Sequence, residues 1–197
     1  LALDMARSLS QLGDRDNAIV MAHFARVRAE QGGDTVKNFE ATVLHALSLI
    51  EAGRAEEGAE VIGPVVARQT EQGVAEGTQD AWPVLSQSIR KVIERLLEDL
   101  RSGAVEDPVG RFETALNLAG PNRHRYAREV DDRAAFAQAL AQAGEHELAG
   151  QQMKLARSLS CSDETRSSPG RNALQTFVLQ SAMLLRTGRI VEATEAL

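Results

Sequence analysis

Four histidines, one cysteine and several clusters of carboxylates and arginines are the residues of this 197-residue chain that could do chemistry. His23, His45, His124 and His146 include no pair spaced i, i+4, the spacing that puts two imidazoles on one helical face around a metal. His23 and His45 fall beside repeat-core positions and read as partly buried packing residues, whereas His146 falls at a turn, where solvent accounts for it. The lone Cys161 excludes an internal disulfide and any zinc site built on several thiolates, and it reads as an inert small side chain at a helix end. No Gly-x-Ser-x-Gly elbow, phosphate-binding Gly-Lys-Ser/Thr loop or His-Glu-x-x-His motif occurs. The acidic groups Glu56, Glu57 and Glu60, and Glu94, Glu98 and Asp99, read as the wet faces of amphipathic helices. Arg123, Arg125 and Arg128 form the one basic concentration, a candidate patch for an anion or an acidic peptide. Against that stand Glu129, Asp131 and Asp132, which follow at once and can pair with it along the same helix. No catalytic residue, metal ligand or cofactor is assigned.

Composition narrows the scaffold. With 43% hydrophobic and 25% charged residues the chain lies in the ordinary soluble range. Only 4% of residues are aromatic, so the core must rest on Ala, Leu and Val, which suits closely spaced helices better than an aromatic-rich sandwich. A net charge of −6 argues against a nucleic-acid surface. No apolar run is long enough for a membrane span. The chain starts at Leu1 and stops within a helical pattern, which reads as a fragment of a longer, cytoplasmic protein.

A pattern recurs along the chain: an apolar helical stretch, Gly, four variable residues, then a small residue opening a second stretch. It occurs at Gly13 to Ala18, Gly53 to Gly58, Gly144 to Ala149 and Gly188 to Ala193, with a looser copy at Gly103 to Pro108. Successive glycines are 40, 50, 41 and 44 residues apart, near-equal intervals that mark stacked repeats. Seven residues before the glycines lie Ala6, Ala46, Leu96, Ala137 and Ser181; four before lie Leu9, Leu49, Asp99, Leu140 and Leu184. Small residues at fixed helical positions let two axes approach closely, and the leucines one turn away fill the gap. Gly ends the first helix in the left-handed conformation, and the unit is a helix hairpin.

Small at −7, Leu at −4, Gly, small at +5 and small at +12 resembles the tetratricopeptide repeat (TPR), over nearly the whole chain in five copies, the last truncated. The intervals exceed the usual period of about 34, and the first-helix Trp and closing Pro are absent, so helices or connections must be extended, as in long-repeat bacterial arrays. The resemblance implies an all-α fold, an α-solenoid of stacked antiparallel hairpins, in one array over 1–197.

First helices are expected over 2–12, 35–52, 83–102, 126–143 and 171–187, and second helices over 15–31, 55–71, 106–119, 146–160 and 190–197. Gly32-Gly33-Asp34 reads as a helix stop followed by an N-cap, and Pro64 as a kink. Ser162 to Gly170 reads as a mobile loop.

In the TPR pattern first helices line the inner surface, at positions that correspond here to Val43, Leu47, Ile50 and Glu51, and to Ile93, Leu97, Leu100 and Arg101. The fourth repeat adds Gln138 and Gln142. The resemblance therefore implies an apolar groove with a polar rim that takes an amphipathic helix or extended peptide, in a non-enzymatic binding module of a larger bacterial signalling or regulatory protein. Self-covering by a tightly curled array, or a homodimer seam, are the competing readings of that strip. The alternative function is a ligand- or signal-peptide-sensing regulatory domain of a transcription activator or kinase, which needs an enclosed pocket instead of an open groove. Neither nucleic acid nor membrane is expected as a partner.

Overall fold

The hairpin turns follow from local chemistry. At the end of the first helix of the second repeat, Gly53 takes φ +79°, and the Arg54 N–H donates to the Leu49 carbonyl at 2.8 Å while the Gly53 N–H donates to Ile50 at 3.0 Å. That pair of bonds satisfies carbonyls the helix end would leave open, and it needs a left-handed residue. The same pairing recurs at the turns that follow Leu9 and Leu140, so the leucine four before each of these glycines supplies the receiving carbonyl. A Cβ at Gly53 would meet nothing within 4 Å, so the strain of a substitution is confined to the backbone. Gly53→Val is expected to cost about 1–2 kcal/mol, and Gly53→Asn clearly less, because Asn tolerates the left-handed region. Equal urea midpoints for the two variants would contradict this assignment of the turn.

The computed structural model describes residues 1–103 and 105–162, and no strand occurs among them. The elements are α1 (Ala2–Gln11), α2 (Arg15–Gln31), α3 (Thr35–Glu51), α4 (Ala55–Gln72), α5 (Trp82–Ser102), α6 (Pro108–Asn117), a 3-10 helix (Gly120–Arg125), α7 (Glu129–Gln142) and α8 (His146–Ser162). The largest departure from the expected bounds is at α7, which starts at Glu129 instead of 126, because 120–125 coil into the 3-10 turn first. The loop expected from Ser162 to Gly170 and the helices expected over 171–187 and 190–197 lie outside the described residues, except for Ser162 at the end of α8. Asp34 caps α3 as expected: its carboxylate accepts from the Lys37 N–H at 3.0 Å and pairs with Lys37 Nζ at 2.8 Å. The helix α4 runs unbroken through Pro64.

Two compact units divide the chain: residues Leu1–Glu94 with Glu113–Arg125, and Arg95–Phe112 with Tyr126–Leu197. In the first unit α1 packs on α2, α2 on α3 and α3 on α4, with α1 also against α3. Ala6, Ala18, Ala22 and Ala46 are wholly buried between them. At Gly58 the approach is closer still. A Cβ there would lie 3.0 Å from the Ala46 carbonyl oxygen and 3.0 Å from Ile50 Cγ1, so α3 and α4 come together where a side chain hardly fits. In the second unit α7 and α8 form a further hairpin around Ala137, Met153, Leu140 and Ala156. Phe112 stacks on Phe136 with centroids 4.3 Å apart, and the Arg133 guanidinium lies 5.5 Å over Phe112. Arg133 is buried but paired, with Glu129 at 3.0 Å and the Gln152 side-chain oxygen Oε1 at 2.7 Å, which is what makes a core cation tolerable.

Candidate functional site

The first helices of the first two repeats lie side by side, as hairpin stacking requires. Ser10 of α1 donates to the Glu51 carboxylate of α3 at 3.0 Å, and Arg7 reaches Glu40 at 3.5 Å. On α3, Val43 and Leu47 are half-buried and Glu51 is exposed. Ile50, however, is only 5% exposed, and Ile93, Leu97 and Leu100 of α5 are 1%, 9% and 5% exposed. The expected open apolar strip is therefore largely core. The physical reason is the width of the buried arc: on α5, Leu85, Ser88, Ile89, Ile93, Leu96, Leu97 and Leu100 are all buried, an i, i+3, i+4 set that takes the strip positions with it. What stays accessible from the expected set is Glu51, Arg101, Gln138 and Gln142, with Val43 and Leu47 partly so.

The three arginines of the candidate anion patch each carry a carboxylate already. Arg123 bonds Glu113 at 3.1 Å and the Asn117 side chain at 3.2 Å. Arg125 bonds Asp80 at 2.7 Å and lies 5.0 Å over the Trp82 ring. Arg128 lies 3.8 Å from Asp132, which also accepts from the buried Tyr126 hydroxyl at 2.6 Å. These contacts fasten the 3-10 helix and the start of α7. The pairing with acids just downstream that the sequence suggests is made by Arg128 with Asp132.

His23 and His45 meet across α2 and α3, ring centroids 5.2 Å apart and edge to face. His45 is 7% exposed, its Nδ1 has no hydrogen-bond partner, and Arg26 and Arg54 add positive charge nearby. Burial, then His23 and the two arginines, push its pKa from 6.5 down to about 4, so it is a neutral packing residue at pH 7. Among the described residues no group of three or more His, Cys, Asp or Glu is placed to hold a metal ion.

One concave feature was not visible in the sequence. A cleft of about 150 Å³ opens between the first half of α3, the second half of α4 and the segment 73–78. Phe39 and Val65 give it an apolar lining, and Thr35, Asn38, Arg68 and Gln72 a polar one. Gln69 braces the wall: its Nε2 donates to the Gln79 carbonyl at 2.8 Å and its Oε1 accepts from the Ala81 N–H at 2.8 Å. No short motif announces such a site, because its residues come from two helices and a loop.

Helix hairpins with glycine turns, small residues at the helix contacts and, in the first unit, the adjacent first helices α1 and α3 define an all-α helix-hairpin fold. No protein-family model matches the sequence, and no curated protein does. The chain is similar in structure to a Podosopora anserina chain with nearly identical kinesin light chain TPR-like repeats and to a single-substitution form of it. In both cases identity is 15%, with 99% of this chain and 89% of the other covered, at TM-scores of 0.43 and 0.44. No described helix is long and apolar enough to cross a membrane.

Proposed function

We propose that this chain is a non-enzymatic module that binds another polypeptide on the first-helix face of its hairpins, within a larger bacterial signalling or regulatory protein. The observation that carries the reading is the alignment of α1 with α3, which sets Arg7, Ser10, Val43, Leu47 and Glu51 on adjoining first helices. Val43 and Leu47 are half-buried apolar side chains, and Arg7–Glu40 and Ser10–Glu51 join the same two helices, a composition that suits a small anchor with a polar rim. In the second unit the repeat pattern marks Arg101, Gln138 and Gln142, all exposed, as contact residues in their own right. The burial of Ile50, Ile93, Leu97 and Leu100 makes the anchor smaller than a long apolar groove, which favours a partner held by polar contacts as much as by burial.

The test is affinity capture with the folded chain, comparing wild type with Leu47→Asp and with Gln138→Ala/Gln142→Ala. A polypeptide retained by wild type and lost on at least about a tenfold scale with Leu47→Asp supports the reading, since a charge in a partly apolar anchor costs more than 1.4 kcal/mol. Retention of nothing above background, or equal retention by every variant, contradicts it. A second reading, ligand sensing, is favoured by one observation, the braced cleft at Arg68.

A further inference from the structure

We infer that the cleft between α3, α4 and residues 73–78 binds a small monocarboxylic acid with a short apolar stem, a site separate from the first-helix face and independent of the partner reading. The charge comes first. Arg68 is exposed, its Nε makes one long bond of 3.4 Å to the Pro64 carbonyl of its own helix, and no carboxylate pairs with it among the described residues. The guanidinium therefore meets the cleft with its charge unbalanced, in contrast to Arg54, Arg123 and Arg125 of the same unit, which bond Glu57, Glu113 and Asp80.

The surrounding groups suit one end of the same ligand. The Thr35, Asn38 and Gln72 side chains line the cleft and form no hydrogen bond within the protein among the described residues, so hydroxyl and amide donors stand beside the cation. A guanidinium fork takes a carboxylate through two parallel bonds, and neutral donors complete its shell. One unbalanced positive charge matches one negative charge; a phosphate dianion or a dicarboxylate would bring a second for which the lining holds no cation.

The other end is fixed by Phe39 and Val65, which are half-buried and line the same cleft. They offer apolar contact that an inorganic anion cannot use. A cavity near 150 Å³ is the size that accepts a benzene ring, so the stem holds about four to six carbons. The walls are in place beforehand. Gln69 ties the cleft to the Gln79 and Ala81 backbone, and the Thr78 hydroxyl donates to the Ala75 carbonyl at 2.7 Å, so little ordering is left for the ligand to impose.

The test is a titration of the full 15N-labelled chain, followed by amide shifts, with benzoate and isovalerate as probes. Benzamide serves as the neutral match, inorganic phosphate as the stemless anion, and a short peptide with one central Glu as the carboxylate carried on a polypeptide. Benzoate and isovalerate are expected to move the amides of the first turn of α3 and of 73–78 saturably. Benzamide, phosphate and the Arg68→Gln variant are each expected to bind about tenfold or more weakly, the loss of one charge-assisted contact or of the apolar one. Arg68 is exposed, so the variant should keep the wild-type spectrum elsewhere. No saturable shift with either acid overturns the site, as does equal binding of benzamide or of phosphate. Binding of the Glu peptide without binding of the free acids overturns the small-ligand assignment. A first-helix variant such as Leu47→Asp is expected to leave this titration unchanged, so the cleft and the partner face fail or stand separately.

Discussion

Lowering the pH from 7 to 4 is expected to remove about 3 kcal/mol of stability through His45 alone. Its imidazole is buried between α2 and α3, with His23 edge-on, Arg26 on α2 and Arg54 at the turn into α4, and only Glu57 opposing them. Folding pushes the pKa from 6.5 to about 4, burial being the largest cause. The unfolded chain therefore takes up a proton near pH 6.5 that the folded chain refuses until about pH 4. Stability is full above the unfolded value, falls steadily as pH drops through the window, and levels off below the folded value. His45→Leu separates this effect from the acids: Nδ1 has no partner, so no hydrogen bond to that atom is broken, and the pH slope between 6.5 and 4 should flatten. Asp34, Glu57 and Glu94 are held below their ordinary range by hydrogen bonds from Lys37, Arg54 and Lys91, so they titrate mainly at more acidic pH. Urea unfolding across pH, together with an NMR titration of the His45 ring, measures both. A ring that titrates near 6.5 would falsify the account.

Leu97→Asp is expected to unfold the unit that contains it, whereas Leu47→Asp is expected to leave the helices in place. Both leucines belong to the same repeat position, six residues before the glycine, yet Leu97 is 9% exposed and Leu47 is half-buried. An unpaired carboxylate at the first site gives up its hydration for no partner, and the lost leucine packing adds about 2–5 kcal/mol. That sum is comparable to the whole stability of an ordinary domain. At the second site the carboxylate can turn to water, and the loss is about 1 kcal/mol, in the usual range for partly exposed positions. Circular dichroism melts of the two variants decide it. A cooperative, near-native transition for Leu97→Asp would return that residue to an accessible groove.

The contrast between those two leucines shows where local pattern stops being informative. Leu47 and Leu97 hold the same position in the repeat alignment, and that position alone does not say which will be covered. Coverage depends on residues far away in the chain. The arginines behave likewise: Arg125 pairs with Asp80, 45 residues earlier, although Glu129 and Asp131 lie within a turn or two of it. The cleft at Arg68 needs Thr35 and Asn38 from one helix, Gln72 from another and a wall braced by Gln69. No spacing rule links those positions.

Helix type, helix bounds and the hairpin turns were written in the sequence because each depends on contacts within a few residues: a glycine at φ +79°, an aspartate three before the N–H it caps, an alanine one turn from a leucine. The period near forty carried the stacking of the first two hairpins, since a repeated local unit repeats its unsatisfied face. Exposure, ion pairing and cavities were decided only when helices distant in sequence came together. Those properties depend on what a neighbouring surface removes from water, and a one-dimensional pattern does not contain that surface.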